Sequence, residues 1–148
     1  ADSNHERILV LDAADLGTEL RSSFGQKGKG EGQLEQPRGV AVDLYRQEVL
    51  VAELGNNRCS IFTTTGDFLR TFGNVPTTDG SLPLRQPYGV MAAHGVLLVS
   101  EYDGRRIAVF SSDIDNTPLQ LLSPYGAKRN HGKPEPQPRG RVLCPWVT

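Results

Sequence analysis

Apolar residues in this chain come in short runs broken by turn-forming residues, and nowhere do they hold a 3.6-residue period. Between residues 39 and 72 the runs read as four strands, A to D: Gly39 to Asp43, Glu48 to Glu53, Arg58 to Phe62 and Phe68 to Phe72. Gly55-Asn56-Asn57 separates B from C with residues that tolerate positive φ, and Thr65-Gly66-Asp67 separates C from D. The next stretch repeats the plan, with His94-Gly95 and Asp103-Gly104 at its first two turns. The pattern predicts antiparallel strands joined by hairpins, in an all-β fold.

Three landmarks recur in fixed order at intervals of about fifty residues. Gln36-Pro37-Arg38-Gly39-Val40 returns as Gln86-Pro87-Tyr88-Gly89-Val90 and, degraded, as Gln137-Pro138-Arg139-Gly140-Arg141. Arg7, Arg58 and Arg106 each open a C strand, and each follows an acid five residues earlier: Asp2, Glu53 and Glu101. Phe24-Gly25, Phe72-Gly73 and Tyr125-Gly126 close the units. Four antiparallel strands per unit of this length predict β-propeller blades. The expected division is 1–34 for a partial blade, 35–84 and 85–136 for two blades, and 137–148 for the first strand of a further blade or a tail. Fewer than three complete blades cannot close a ring. The chain is therefore expected to belong to a longer propeller or larger assembly, or to associate with other copies.

Each residue type has a physical reason at its place. Pro37 and Pro87 open strands whose first N–H need not enter the ladder. Gly39 and Gly89 let backbone approach backbone where inner strands converge. Arg58 and Arg106 are expected to pair with an acid or to cap carbonyls. The same residues resemble the NHL repeat: Phe24-Gly25, the glycine-rich run to Gly32-Gln33-Leu34, Gln36-Pro37-Arg38-Gly39-Val40-Ala41-Val42-Asp43, and Glu53-x-x-Asn56-x-Arg58-x-x-Ile61-Phe62. The resemblance departs where Glu stands at 53 and 101, Gly at 104 and His at 5. It implies a propeller used as a non-catalytic interaction scaffold, with single-stranded RNA binding as the alternative and an NHL-like lyase as the third reading.

Composition narrows the chemistry. The formal net charge of −1 argues against a generally basic nucleic-acid binder. No stretch approaches the roughly 18 apolar residues of a membrane span, so no insertion is expected. Cys59 and Cys144 match no metal spacing, and a free reduced pair favours an intracellular setting. Gly28-Lys29-Gly30-Glu31-Gly32 lacks the helix that a phosphate loop requires and reads as a blade connection. His5 and His131 belong to one rim and His94 to the other, so they cannot share a metal ion; no metal and no cofactor is expected. No nucleophile–base grouping stands out, and no catalytic residue is assigned.

What remains is a rim. The B–C turns and D–A connections share one side of the blades, where Lys27, Lys29, Tyr102, Arg105, Lys128 and Arg129 are the candidate partner-binding residues. From Gly126 onward Lys128, Arg129, Lys133, Arg139 and Arg141 face only Glu135. Glu31, Glu35, Asp79, Asp103 and Glu135 dilute the basic character, which favours a protein partner, or the remainder of the same propeller, over RNA.

Overall fold

The computed structural model describes residues 1–14, 19–74 and 83–112, and the backbone of Leu121–Tyr125. Among them there is no helix, and so none long and apolar enough to cross a membrane. The partial unit contributes β1 (Ile8–Leu11) and β2 (Leu20–Phe24), paired antiparallel. A short parallel bridge follows, β3 (Gln26–Lys27) with β4 (Gln33–Leu34), inside the glycine-rich connection. Next come β5 (Pro37–Asp43), β6 (Glu48–Glu53), β7 (Arg58–Thr63) and β8 (Phe68–Phe72), side by side in chain order. Finally β9 (Pro87–Ala93), β10 (Val96–Glu101), β11 (Arg106–Ser111) and β12 (Leu121–Tyr125) repeat that order. The sheets do not close a ring among the described residues.

Strand alternation explains how the sheets stack. Successive β6 side chains point to opposite faces, and both faces are covered. Val49, Val51 and Phe62 pack with Ile8, Leu34, Phe24 and Phe68 on one side. Leu50, Ala52, Cys59, Ile61 and Phe72 pack with Leu84, Leu97, Val99, Ala108 and Phe110 on the other. Phe72 meets Phe110 edge to face with ring centres 5.1 Å apart, bridging two sheets. Each fully buried valine, leucine, isoleucine or phenylalanine among them contributes about 1.5–3 kcal/mol relative to exposure. The middle sheet is thus an apolar slab held between neighbours, the packing of consecutive propeller blades.

The inner strands converge, and one glycine marks the place. A Cβ on Gly39 would stand 2.7 Å from the Tyr88 carbonyl oxygen and 2.8 Å from the Gly89 Cα. Backbone cannot yield as a side chain can. Gly89 differs: a Cβ there would meet only the Ser100 hydroxyl, at 2.9 Å, within its own sheet. Gly39→Ala should therefore lower stability by about 1–3 kcal/mol, and by more than Gly89→Ala. Urea midpoints of the two variants test this; equal midpoints would contradict the convergence.

Candidate functional site

The rim is assembled from the backbone upward. After β6 and β10 the chain turns back through Leu54 to Asn57 and Tyr102 to Arg105. Leu54 N–H donates to Gln36 O, Gly55 N–H to Glu35 O, and Tyr102 N–H to Gln86 O. Both of these B–C turns are thus sewn to the connection that enters their own sheet, and the two kinds of loop share one rim as the alternation predicts. Asn57 and Arg105 hold left-handed φ of 53° and 48°, as Glu6 does at 55° in the first turn. Gln36 and Gln86 hold it too, at 49° and 50°.

Beneath the rim lies a buried clamp. The Glu53 carboxylate accepts from Arg58 Nε at 2.9 Å, Asn56 Nδ2 at 2.6 Å, Glu35 N–H at 3.1 Å and the Ser60 hydroxyl. The Arg58 guanidinium then donates to the carbonyls of Lys29, Gly30 and Gln33 at 2.9–3.0 Å. Both groups are buried and both are fully engaged, which is the condition for a buried charge pair to be tolerated. Glu101 and Arg106 repeat the pair, with Arg85 N–H donating to the carboxylate. Asp2 and Arg7 repeat it at the surface, where hydrogen bonds from His5 and Arg7 hold the Asp2 carboxyl below its ordinary range. The acid–arginine spacing in the sequence thus marks internal supports of the rim.

The candidate contact residues sit on top. Lys27 lies in β3 and Lys29 beside it, both exposed; among the described residues Lys29 is tied down only through its carbonyl. Tyr102 and Arg105 flank the third B–C turn, also exposed. Lys128, Arg129 and the degraded repeat from Gln137 lie outside the described residues. Asp103 pairs with Arg85 at 2.9 Å. His5 bonds Asp2, His94 occupies the β9–β10 hairpin, and His131 and Cys144 lie outside the described residues. No group of metal-ligating side chains occurs among the described residues.

Two further residues, Arg38 and Tyr88, join the rim. Arg38 lies over the Tyr88 ring, 5.9 Å from its centre, and Tyr88 stands 6.5 Å from Tyr102. The three form a row crossing the seam between two sheets. The available signal was the variable slot in Gln-Pro-x-Gly-Val: if the flanking residues serve the backbone, the slot is free to face outward.

Stacked antiparallel four-stranded sheets, clamped along one rim, define a segment of a β-propeller. Over 104 residues, 70% of the chain, the sequence is 35% identical to Protein brain tumor of Drosophila melanogaster, covering 10% of it. It is 45% identical over 47 residues to Protein lin-41 of Caenorhabditis elegans, 32% of this chain and 4% of that one. It is 46% identical over 46 residues to E3 ubiquitin-protein ligase TRIM71 of Rattus norvegicus, 31% and 5% respectively. The chain therefore spans a tenth or less of these curated relatives. No protein-family model matches the sequence. Among solved structures, a nidogen/laminin complex is similar with a TM-score of 0.62 at 14% identity, over 85% of this chain and 41% of that one. Virginiamycin B lyase of Staphylococcus aureus is similar with 0.59 at 18%, over 88% and 37%. These two likenesses concern the fold alone. With these relatives, the stacked sheets make the chain a partial NHL-like β-propeller.

Two predictions follow from the clamp and the core beside it. Glu53→Ala leaves the Arg58 charge buried without its acid and should destabilise the chain by about 3–5 kcal/mol. Urea unfolding of Glu53→Ala, Arg58→Ala and the double variant checks this: the double variant should lose less than the two singles added, and strict additivity would refute the coupling. Burial, with the Glu53 and Glu101 charges nearby, pushes the Cys59 thiol far above its ordinary pKa of 9.0. The folded chain therefore keeps a proton that the unfolded chain loses, so stability should fall as pH rises above that value. Peptide-mapped alkylation should find Cys59 unreactive until urea unfolds the chain; labelling of the native chain would contradict its burial.

Proposed function

We propose that this propeller segment is a non-catalytic interaction scaffold that binds a protein partner on the rim of B–C turns and D–A connections. The observation carrying this reading is the combination of a rigidly clamped loop backbone with outward-facing, unused side chains. Exposed recognition residues on a rigid sheet vary without disturbing the core. Lys27, Lys29, Tyr102 and Arg105 are the proposed contacts, joined by Lys128 and Arg129 from the following connection. In this reading 35–84 and 85–136 are blades, 1–34 completes a preceding blade, and 137–148 opens a further one or forms a tail. The match to TRIM71 covers 5% of that protein, so the ligase activity in its name is not assigned to this chain.

Charge favours protein over RNA. Lys27, Lys29, Arg38, Arg85 and Arg105 on the described rim alternate with Glu6, Glu31, Glu35 and Asp103. A groove for a phosphate backbone needs one dominant sign. The RNA reading keeps one observation in its favour, the Arg38–Tyr88–Tyr102 row, because stacked aromatics with a cation suit unpaired bases.

Charge reversal of Lys27, Lys29, Arg105 and Arg129 to glutamate is the test. Proteins captured from a nuclease-treated cell extract by the parent chain should be lost with the quadruple variant, whose melting temperature stays unchanged. If capture needs intact RNA and falls steeply with salt, the RNA reading replaces the protein one. If the variant captures as the parent does, the rim is misassigned.

A further inference from the structure

The three B–C turns use their side chains differently, and the difference points to a ligand. In the first turn the Ser3 hydroxyl donates to Pro37 O, and the Glu6 carboxylate accepts the Gln36 N–H at 2.5 Å. In the second, Asn56 donates to Gly28 O at 3.0 Å, and Asn57 Oδ1 accepts the Gln86 N–H at 2.8 Å. These side chains latch the turn to neighbouring connections and to the start of the next inner strand. In the third turn the matching positions hold Tyr102, Gly104 and Arg105. Glycine has no side chain to offer, and a guanidinium has no acceptor atom.

Arg105 nevertheless keeps the left-handed φ of its counterparts, 48°. A non-glycine residue pays about 1–2 kcal/mol for that conformation. Glu6 and Asn57 each gain in return a side-chain hydrogen bond to the N–H that opens the next unit; the Arg105 side chain makes no hydrogen bond or ion pair among the described residues, and the matching residue of the next unit, Gln137, lies outside them. The turn itself stays anchored by Tyr102 N–H to Gln86 O and by the Glu101–Arg106 clamp. Among the described residues its side chains are therefore held in position without a bond that serves the fold.

We infer that Tyr102 and Arg105, with Arg38 and Tyr88 across the seam, form the seat for an extended acidic peptide segment of the partner. This rests on the protein-binding reading of the rim and narrows it to one turn and one chemistry. The Arg38 and Arg105 guanidiniums match carboxylates in their fork geometry. Tyr88 and Tyr102, 51% and 70% exposed, supply flat apolar faces and hydroxyls for the peptide between them. Asp103 borders the row, paired to Arg85. Glu6, Glu35 and Asp103 alternate with the arginines here, so the surface lacks the single sign that a phosphate backbone needs, while a peptide brings N–H donors for the acids as well as carboxylates for the arginines.

Selection of a phage-displayed random-peptide library on the immobilised 148-residue chain tests the inference, with affinities of the selected peptides measured by fluorescence anisotropy. Selected peptides should be rich in aspartate and glutamate. Tyr102→Ala, Arg105→Ala and Arg38→Ala should each weaken them about tenfold or more, with unchanged melting temperatures. Tyr45→Ala, on a hairpin of the opposite rim, should leave binding as it is. Three results overturn the inference: no peptide selected, selected peptides without acidic excess, or oligouridine bound more tightly than any peptide. If selected peptides respond only to Lys27→Glu and Lys29→Glu, the rim reading survives and the seat assigned here does not. If they respond to neither set, both fail.

Discussion

The hydrogen-bonded pair of Glu53 and Arg58 is the constraint on which the rest of the molecule's working surface depends. Apolar packing between blades is strong but non-directional, and it would tolerate sliding of one sheet over another. The clamp is directional. One carboxylate gathers a turn, a strand and the incoming connection, and one guanidinium collects three carbonyls from a loop otherwise rich in glycine. A buried ion pair of this kind gives little net stability against its desolvation. Its effect is to allow only one arrangement of the loop.

That arrangement explains why glycine and proline dominate the rim without making it shapeless. The parallel bridge between β3 and β4 and the caps from Arg58 leave the connection little freedom, while its lysine side chains remain in water. The clamp is fullest in the middle unit. In the third, Gly104 and Ala108 stand where Asn56 and Ser60 each give Glu53 a further donor. The same unit has the turn whose side chains are most available, so internal support and external display trade against each other along the repeat.

Much of this was legible in the sequence. Strands A to D of the middle unit fall where the alternation puts them, with β5 starting at Pro37 rather than Gly39. The acid five residues before each arginine proved to be an ion pair in all three units. What the arginine caps was not legible, because carbonyls twenty-five to twenty-nine residues away carry no sequence signature. The β3–β4 bridge escaped notice because two-residue strands leave no periodicity. Arg38 and Tyr88 stand in the repeat motif without an assigned role; the convergence of β5 and β9 is what brings them together. Sequence periodicity finds what the fold repeats, whereas recognition sits where the repeat departs from itself.

The central claim is that one buried carboxylate fixes the rim's shape. Amide hydrogen exchange of a Glu53→Gln variant tests it most directly, since the amide preserves size while weakening the clamp. The account predicts faster exchange at Gly28, Gln33, Glu35 and Leu54 along the connection and turn, with β6 and β7 amides protected as in the parent. Unchanged exchange along the connection, or uniform loss of protection through the whole sheet, would contradict it.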